Sequence, residues 1–122
     1  MPGKKILVVE DEFIIQTLFR RLLKAPAYEF TMASTVREGL EALDKGFLPD
    51  LLISDLRLPD GYGTDVILRF HKLRPEAPVI IMTGSPTPES RLADLDGIRV
   101  EATVNKPFEI ENFLQVVGRC LP

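Results

Sequence analysis

Two of the most reactive side chains are almost missing from this sequence. Among 122 residues there is one cysteine, Cys120, and one histidine, His71. A single cysteine closes no internal disulfide and builds no cysteine-based zinc site, which fits a reducing, cytoplasmic setting. A single histidine leaves Ser-His-Asp hydrolysis resting on His71 alone, and that residue falls on a predicted helix, away from the strand ends. Long apolar runs are missing as well. None exceeds four residues, so the sequence holds neither a membrane-spanning helix nor a signal-peptide core. Basic charge is not in excess: lysine and arginine number 15 against 18 acids, a formal net charge of -3, which argues against a nucleic-acid partner. No G-x-x-x-x-G-K-[ST] pattern occurs, so a P-loop nucleotide site is excluded.

What is present suffices for one ordinary domain, since 45% of the residues are hydrophobic. No linker, repeat or low-complexity tract divides the chain. A single domain over residues 1–122, with no output domain, is therefore expected. Lys5 to Val9 reads as a first strand, continuous and β-branched, running into Glu10-Asp11-Glu12. Phe13 to Leu23 reads as a helix with Phe13, Ile14, Leu18, Leu22 and Leu23 as its apolar stripe. Asp11 and Glu12 suit its start, Arg20, Arg21 and Lys24 its end, and Pro26 stops it. Tyr28 to Ala33 is a more polar strand, suited to a sheet edge. Thr35-Val36-Arg37-Glu38 has the capping-box pattern and opens a helix that Gly46 ends. Leu51 to Ser54, short and bounded by turn signals, reads as a buried parallel strand running into Asp55. Gly61 and Gly63 flank a loop, and a helix runs from Thr64 or Asp65 to Leu73. Val79 to Met82 is the fourth strand, ending at Thr83-Gly84. Pro86 and Pro88 delay the next helix, which is expected to be short, over Glu89 to Leu95. Arg99 to Val104 is the fifth strand. Lys106-Pro107-Phe108 precedes a last helix from Glu109 to Cys120, with Ile110, Phe113, Leu114 and Val117 on one face. This alternation calls for an α/β fold: a flavodoxin-like doubly wound (βα)5 with a five-stranded parallel sheet in the order 2-1-3-4-5.

In that order the chemistry-bearing residues collect at strand ends: Glu10 and Asp11 after the first, Asp55 after the third, Thr83 after the fourth, Lys106 after the fifth. The crevice beyond the carboxyl ends of the strands is where such folds bind ligands. Each residue alone has an ordinary structural role to fall back on. Asp55 suits a turn, Glu10-Asp11-Glu12 a helix N-terminus, Thr83 a strand end, and Lys106 the solvated surface. Together they are harder to explain that way. Three converging carboxylates repel one another, and Mg²⁺, a hard cation with oxygen ligands that keeps waters and leaves room for phosphate, is the fitting remedy. A carboxylate nucleophile with a metal, a lysine and a hydroxyl around it makes a phosphoryl-transfer site.

The set Ile6-Leu7-Val8-Val9-Glu10-Asp11-Glu12, Ser54-Asp55 with Leu58-Pro59-Asp60-Gly61, Met82-Thr83-Gly84 and Asn105-Lys106-Pro107-Phe108 resembles a response-regulator receiver domain of two-component signalling, over essentially the whole chain. The resemblance implies that Asp55 is the phosphoacceptor, supplied by a phosphohistidine on a sensor histidine kinase or histidine phosphotransfer protein. It implies that Glu10 and Asp11 hold Mg²⁺ with Asp55 and with the backbone carbonyl of Arg57. Thr83 would be the switch hydroxyl, Lys106 the partner of the phosphoryl group, and Lys106-Pro107 a cis peptide. Such a domain is no enzyme beyond its own phosphorylation and dephosphorylation. It reaches a downstream protein target through the face made by helix four, strand five and helix five, with a second copy of the chain as a further candidate partner and neither nucleic acid nor membrane involved.

Three departures stand out. Glu10 occupies a position where aspartate is commoner. Thr103, three residues before Lys106, stands where the family usually has Tyr or Phe as a switch ring. The fourth helix is short and preceded by prolines. The last two favour an alternative, a receiver-fold binding module not regulated by phosphorylation, while the intact set Glu10, Asp11, Asp55, Thr83 and Lys106 speaks against it. An aspartate-nucleophile phosphatase would want a second Asp at the position of Arg57. A flavin carrier would want backbone donors where Glu10-Asp11-Glu12 lies. Tyr62 is a loop aromatic, of interest as a partner contact.

Overall fold

The computed structural model describes residues 3–23, 27–84 and 86–121. Lys24 and Pro26, expected at the end of the first helix, and Ser85 lie outside the described residues. The elements follow the expected alternation: β1 (Lys4–Val9), α1 (Phe13–Leu22), β2 (Tyr28–Ala33), α2 (Val36–Asp44), β3 (Leu51–Asp55), β4 (Arg57–Leu58), β5 (Gly61–Tyr62), α3 (Thr64–Leu73), β6 (Val79–Thr83), α4 (Glu89–Ala93), β7 (Val100–Asn105) and α5 (Ile110–Cys120). The main sheet is parallel throughout, in the order β2-β1-β3-β6-β7. With the two-residue strands β4 and β5 set aside, this is the order 2-1-3-4-5.

Burial explains the strand sequences. β3 is central and all five of its residues are buried, as the apolar run before Asp55 requires. β2 and β7 are the edges, and β7 alternates half-buried with exposed residues. Two cores flank the sheet. One joins Val36 and Leu43 of α2 to Val66, Ile67 and Phe70 of α3. The other joins Phe19 of α1 to Phe113, Val116, Val117 and Cys120 of α5, where the rings of Phe19 and Phe113 stack at 4.9 Å. Cys120 is thus a core residue of the last helix.

Four details differ from expectation. The inward stripe of α1 is rotated: Phe13 and Ile14 are 76% and 80% exposed, while Gln16 and Phe19 are buried. Phe19, stacked on Phe113 of α5 and on Phe108 just before that helix, sets which face points inward. Ile110 of α5 is likewise exposed, its place on the inner face taken by Val116 and Cys120. The stretch after Asp55 is a small antiparallel hairpin, with Arg57 opposite Tyr62 and Leu58 opposite Gly61, rather than a plain loop. Pro59-Asp60 makes its turn, a combination with intrinsic turn chemistry. Finally, α4 is short and begins at Glu89 as expected, but it ends at Ala93 rather than Leu95, and none of its five residues is buried.

Candidate functional site

The strand ends deliver their side chains to one cleft of about 420 Å³, lined by Asp11, Glu12, Asp55, Arg57, Gly84 and Lys106 among others. The register of β3 against β6 sets Asp55 opposite Met82, and β6 against β7 sets Thr83 opposite Asn105. Lys106 therefore follows directly after the residue paired with Thr83, and its backbone N–H donates to the Thr83 carbonyl at 2.9 Å. The Lys106–Pro107 peptide is cis.

Three residues meet in direct contact. Lys106 Nζ lies 2.7 Å from Asp55 Oδ2, 3.0 Å from Glu10 Oε1 and 2.9 Å from Glu10 Oε2. A fourth, Glu12, joins through Oε1 at 2.9 Å from the same nitrogen. Glu10 and Asp55 are buried, and the lysine side chain is 10% exposed. Asp11 is exposed at the rim, yet one oxygen each from Glu10, Asp11 and Asp55 lies within 4.8 Å of the others, an acidic cluster able to hold a metal ion. Burial pushes the Glu10 carboxyl above the usual carboxylate range, against the lowering effect of Lys106 and of the Glu12 N–H, which donates to Oε1 at 2.9 Å. For Lys106, burial works against the ammonium, but hydrogen bonds to Asp55, Glu10 and Glu12 outweigh it and hold its pKa above the ordinary lysine value. Glu10 Oε2 is buried and accepts no hydrogen bond, its lysine contact being an ion pair only. That oxygen already has the Lys106 ammonium as its ionic partner, so what calls for a further cation is the surplus of carboxylates around one lysine.

The framework behind these side chains contains residues that sequence reasoning passed over. Gln16 is a polar residue on the inward face of α1. Its Nε2 donates to the Glu10 carbonyl at 2.5 Å and to Ser34 Oγ at 3.0 Å, which ties the ends of β1 and β2 to α1. A polar residue between Ile15 and Phe19 on a buried stripe was the available signal. Gly63 is needed for close approach: a Cβ there would lie 2.0 Å from the Asp55 carbonyl oxygen and 2.7 Å from Ser54 Oγ. Its N–H also donates to the Leu56 carbonyl at 2.9 Å, folding the hairpin back under Asp55. The Arg57 N–H donates to Asp55 Oδ1 at 3.2 Å. At the hairpin turn, Asp60 reaches across to accept the Val36 and Arg37 N–H groups at 2.8 and 3.0 Å, which lowers its pKa. The start of α2 is thus capped twice, because Thr35 Oγ1 accepts the Glu38 N–H as the capping box anticipates. The reciprocal bond differs slightly: Glu38 Oε1 accepts from Ser34, one residue earlier. The acids expected to support the start of α1 are used elsewhere. Glu12, at its N-cap, makes no side-chain cap and turns to Lys106.

Thr83 is half-buried and Thr103 exposed. Both line a second, largely apolar hollow of about 370 Å³ with Leu56, Ile81, Thr87 and Leu92, between β6, β7 and the α4 segment. His71 is half-buried on α3, apart from the cleft. Tyr62 carries the Arg91 guanidinium 4.8 Å above its ring, linking the hairpin to α4. Among the described residues no helix is long and apolar enough to cross a membrane.

The chain is similar to known proteins in sequence and fold. The NtrC regulator of Bradyrhizobium sp. is 30% identical over 99% of this chain, which spans 25% of that protein's length. The response regulator DivK of Brucella ovis is 32% identical over 93% of both. A solved CheY-like receiver domain from Methanospirillum hungatei superposes with a TM-score of 0.83 at 30% identity, over 96% of this chain and 92% of that one. The family profile described as "Response regulator receiver domain" matches residues 6–118, from inside β1 to near the end of α5. With sheet order, strand-end chemistry and profile in agreement, the chain belongs to the response regulator receiver domain family.

Proposed function

We propose that this receiver domain is a phosphorylation-dependent signalling module whose phosphoacceptor is Asp55. The observation that carries the reading is the contact of Asp55 Oδ2 with Lys106 Nζ at 2.7 Å, inside a cluster of acids that one lysine cannot neutralise. Glu10, Asp11, Asp55 and the Arg57 carbonyl would hold Mg²⁺, and the convergence of the three carboxylates on one another supports such a cation there. Bound Mg²⁺ supplies charge neutralisation at the phosphoryl oxygens. Asp55 would attack phosphorus in line, forming a P–O bond as the donor's bond to phosphorus breaks. Lys106 would bind a phosphoryl oxygen, and Thr83 would donate its hydroxyl to another. The donor is a phosphohistidine on a histidine kinase or phosphotransfer protein. The output is a changed protein contact on the face formed by α4, β7 and α5.

Intact-mass measurement after incubation with a small phosphodonor, with and without Mg²⁺ and beside Asp55→Asn, tests this. A gain of one phosphoryl mass requiring both Mg²⁺ and Asp55 is expected. A second reading, a binding module independent of phosphorylation, draws on the exposed Thr103 and the hollow beside it. No mass gain together with no Mg²⁺ binding would select it.

A further inference from the structure

An ammonium group has three N–H donors, and on Lys106 all three are engaged. They go to Asp55 Oδ2 at 2.7 Å, Glu10 Oε1 at 3.0 Å and Glu12 Oε1 at 2.9 Å. Two of these acceptors have a second task, because Glu10 and Asp55 belong with Asp11 to the carboxylate cluster. Glu12 does not belong to it. Its side chain is 57% exposed and lines the cleft beside Asp55 and Lys106. Its carboxylate therefore lies on the solvent side of the lysine, on the path of an incoming anion.

We propose that Glu12 is a charge gate, a carboxylate that occupies the outward N–H of Lys106 and turns away small anionic phosphodonors arriving free from solvent. The inference rests on Asp55 being the phosphoacceptor. In the transfer, an Asp55 oxygen forms a bond to phosphorus while the donor's own bond to phosphorus breaks (P–O in acetyl phosphate, P–N in a phosphohistidine) and its electron pair leaves with the leaving group. The phosphoryl oxygens need an N–H of Lys106, and the one facing solvent is held by Glu12. A free donor must displace that carboxylate and come within a few ångströms of its charge, well inside a screening length of about 8 Å at physiological salt. A donor carried by a docked protein is held at millimolar effective concentration and meets the same obstacle without losing the encounter. The gate thus selects for delivery by a partner.

Glu12→Gln keeps the volume and an acceptor oxygen while removing the charge. With acetyl phosphate as probe and Mg²⁺ present, the KM for phosphoryl uptake should fall about three- to tenfold, exceeding any change in maximal rate. The difference should shrink toward zero near 1 M salt, where the screening length is about 3 Å. Mg²⁺ titration by calorimetry gives a readout independent of phosphorylation. Glu10→Gln should weaken Mg²⁺ at least about tenfold and Glu12→Gln by less than about threefold. An unchanged KM, or a gain insensitive to salt, would overturn the gate while leaving Asp55 as acceptor. So would loss of Mg²⁺ affinity in Glu12→Gln equal to that in Glu10→Gln, because Glu12 would then be a metal ligand. If neither protein gains phosphoryl mass the gate falls, and if neither binds Mg²⁺ either, the acceptor reading falls with it.

Discussion

The two ends of the same sheet treat their acids in opposite ways. At the amino end Asp50, just before β3, has a cation in Arg74, which pairs also with Glu76 at 3.4 Å. The Asp50 carboxylate accepts the Lys5 N–H at 2.9 Å and pairs with Arg74 at 3.1 Å, and Arg74 also donates to the Pro49 carbonyl at 2.9 Å. Burial works against its charged form, yet these hydrogen bonds hold its pKa below the usual value. At the carboxyl end Glu10, Glu12 and Asp55 share one lysine, with Asp11 beside them in the same acidic cluster, and burial keeps the Glu10 carboxyl above its usual value. The chain can satisfy an acid when only the fold is at stake. Ion pairs as such therefore do not mark the site, because both ends have them. The surplus of negative charge at one end does, and it is the physical argument for a cation there.

Removing the lysine breaks this comparison most sharply. Lys106→Met leaves the buried Glu10 and Asp55 carboxylates without their cation, and should lower stability by about 3 kcal/mol at pH 7 without Mg²⁺. Arg74→Met removes a pair whose partners are 29% and 36% exposed, and should cost no more than about 1 kcal/mol. Urea denaturation of the two variants in one buffer checks the ratio. Equal losses would mean that the carboxyl end is an ordinary structural ion-pair cluster.

Next in size is the backbone beneath Asp55. Gly63→Ala would set a Cβ 2.0 Å from the Asp55 carbonyl oxygen, so the hairpin must move away. A loss of about 2 kcal/mol is expected, with phosphoryl uptake and Mg²⁺ affinity falling together. Gly118→Ala is the control. Nothing lies within 4 Å of a Cβ there, and the change should stabilise the exposed face of α5 by about 0.5–1 kcal/mol.

The two ends should also differ in the sign of their pH dependence. Glu10, with its pKa raised in the fold, contributes stability that is fully present below its unfolded value near 4.5 and lost as pH rises through the higher folded value. Asp50, with its pKa lowered, contributes stability present above its unfolded value near 3.8 and lost as pH falls through the lower folded value. Thermal midpoints measured from pH 3 to 8 without Mg²⁺ should therefore move in opposite directions on substitution: Glu10→Gln gains relative stability toward neutral pH, and Asp50→Asn loses it. Mg²⁺ at pH 7 should raise the midpoint of the parent chain and leave Glu10→Gln almost unmoved.

Much of this was legible in the sequence, for reasons specific to the elements. β1, β3 and β6 are buried apolar runs, and their order followed from the β/α alternation. Asp55, Glu10, Asp11, Thr83 and Lys106 were singled out because each stands at a strand end, and the structure gathers Glu10, Asp11, Asp55 and Lys106 there. What escaped depends on contacts between distant segments. The rotation of α1 that exposes Phe13 and Ile14 is set by Phe19 packing against α5, some ninety positions away. Gln16 reaching the Glu10 carbonyl, and Asp60 capping α2 from the hairpin, leave no local pattern. Glu12 was visible as an acid before a helix, and that ordinary role concealed its contact with Lys106.

The smallest effect is expected where the molecule is least packed, and it sharpens the contrast between a fixed site and a loose readout. α4 has no buried residue, Leu92 is 44% exposed, and on its β7 side the hollow beside Thr83 is lined by Thr103. Thr103→Tyr places a ring at the rim of that hollow. Because Thr103 is exposed, stability should change by less than about 0.5 kcal/mol, and phosphoryl uptake at Asp55 should not change. Hydrogen exchange across residues 86–96 is the informative measurement. A thinly packed segment opens at low free energy, so added contact should slow exchange there without affecting β3 or β6. If phosphorylation already slows exchange in the parent chain, and Thr103→Tyr adds little, the signal reaches α4 through Thr83 and the backbone alone. If only the tyrosine variant responds, the hollow is the break in the path from Asp55 to the output face.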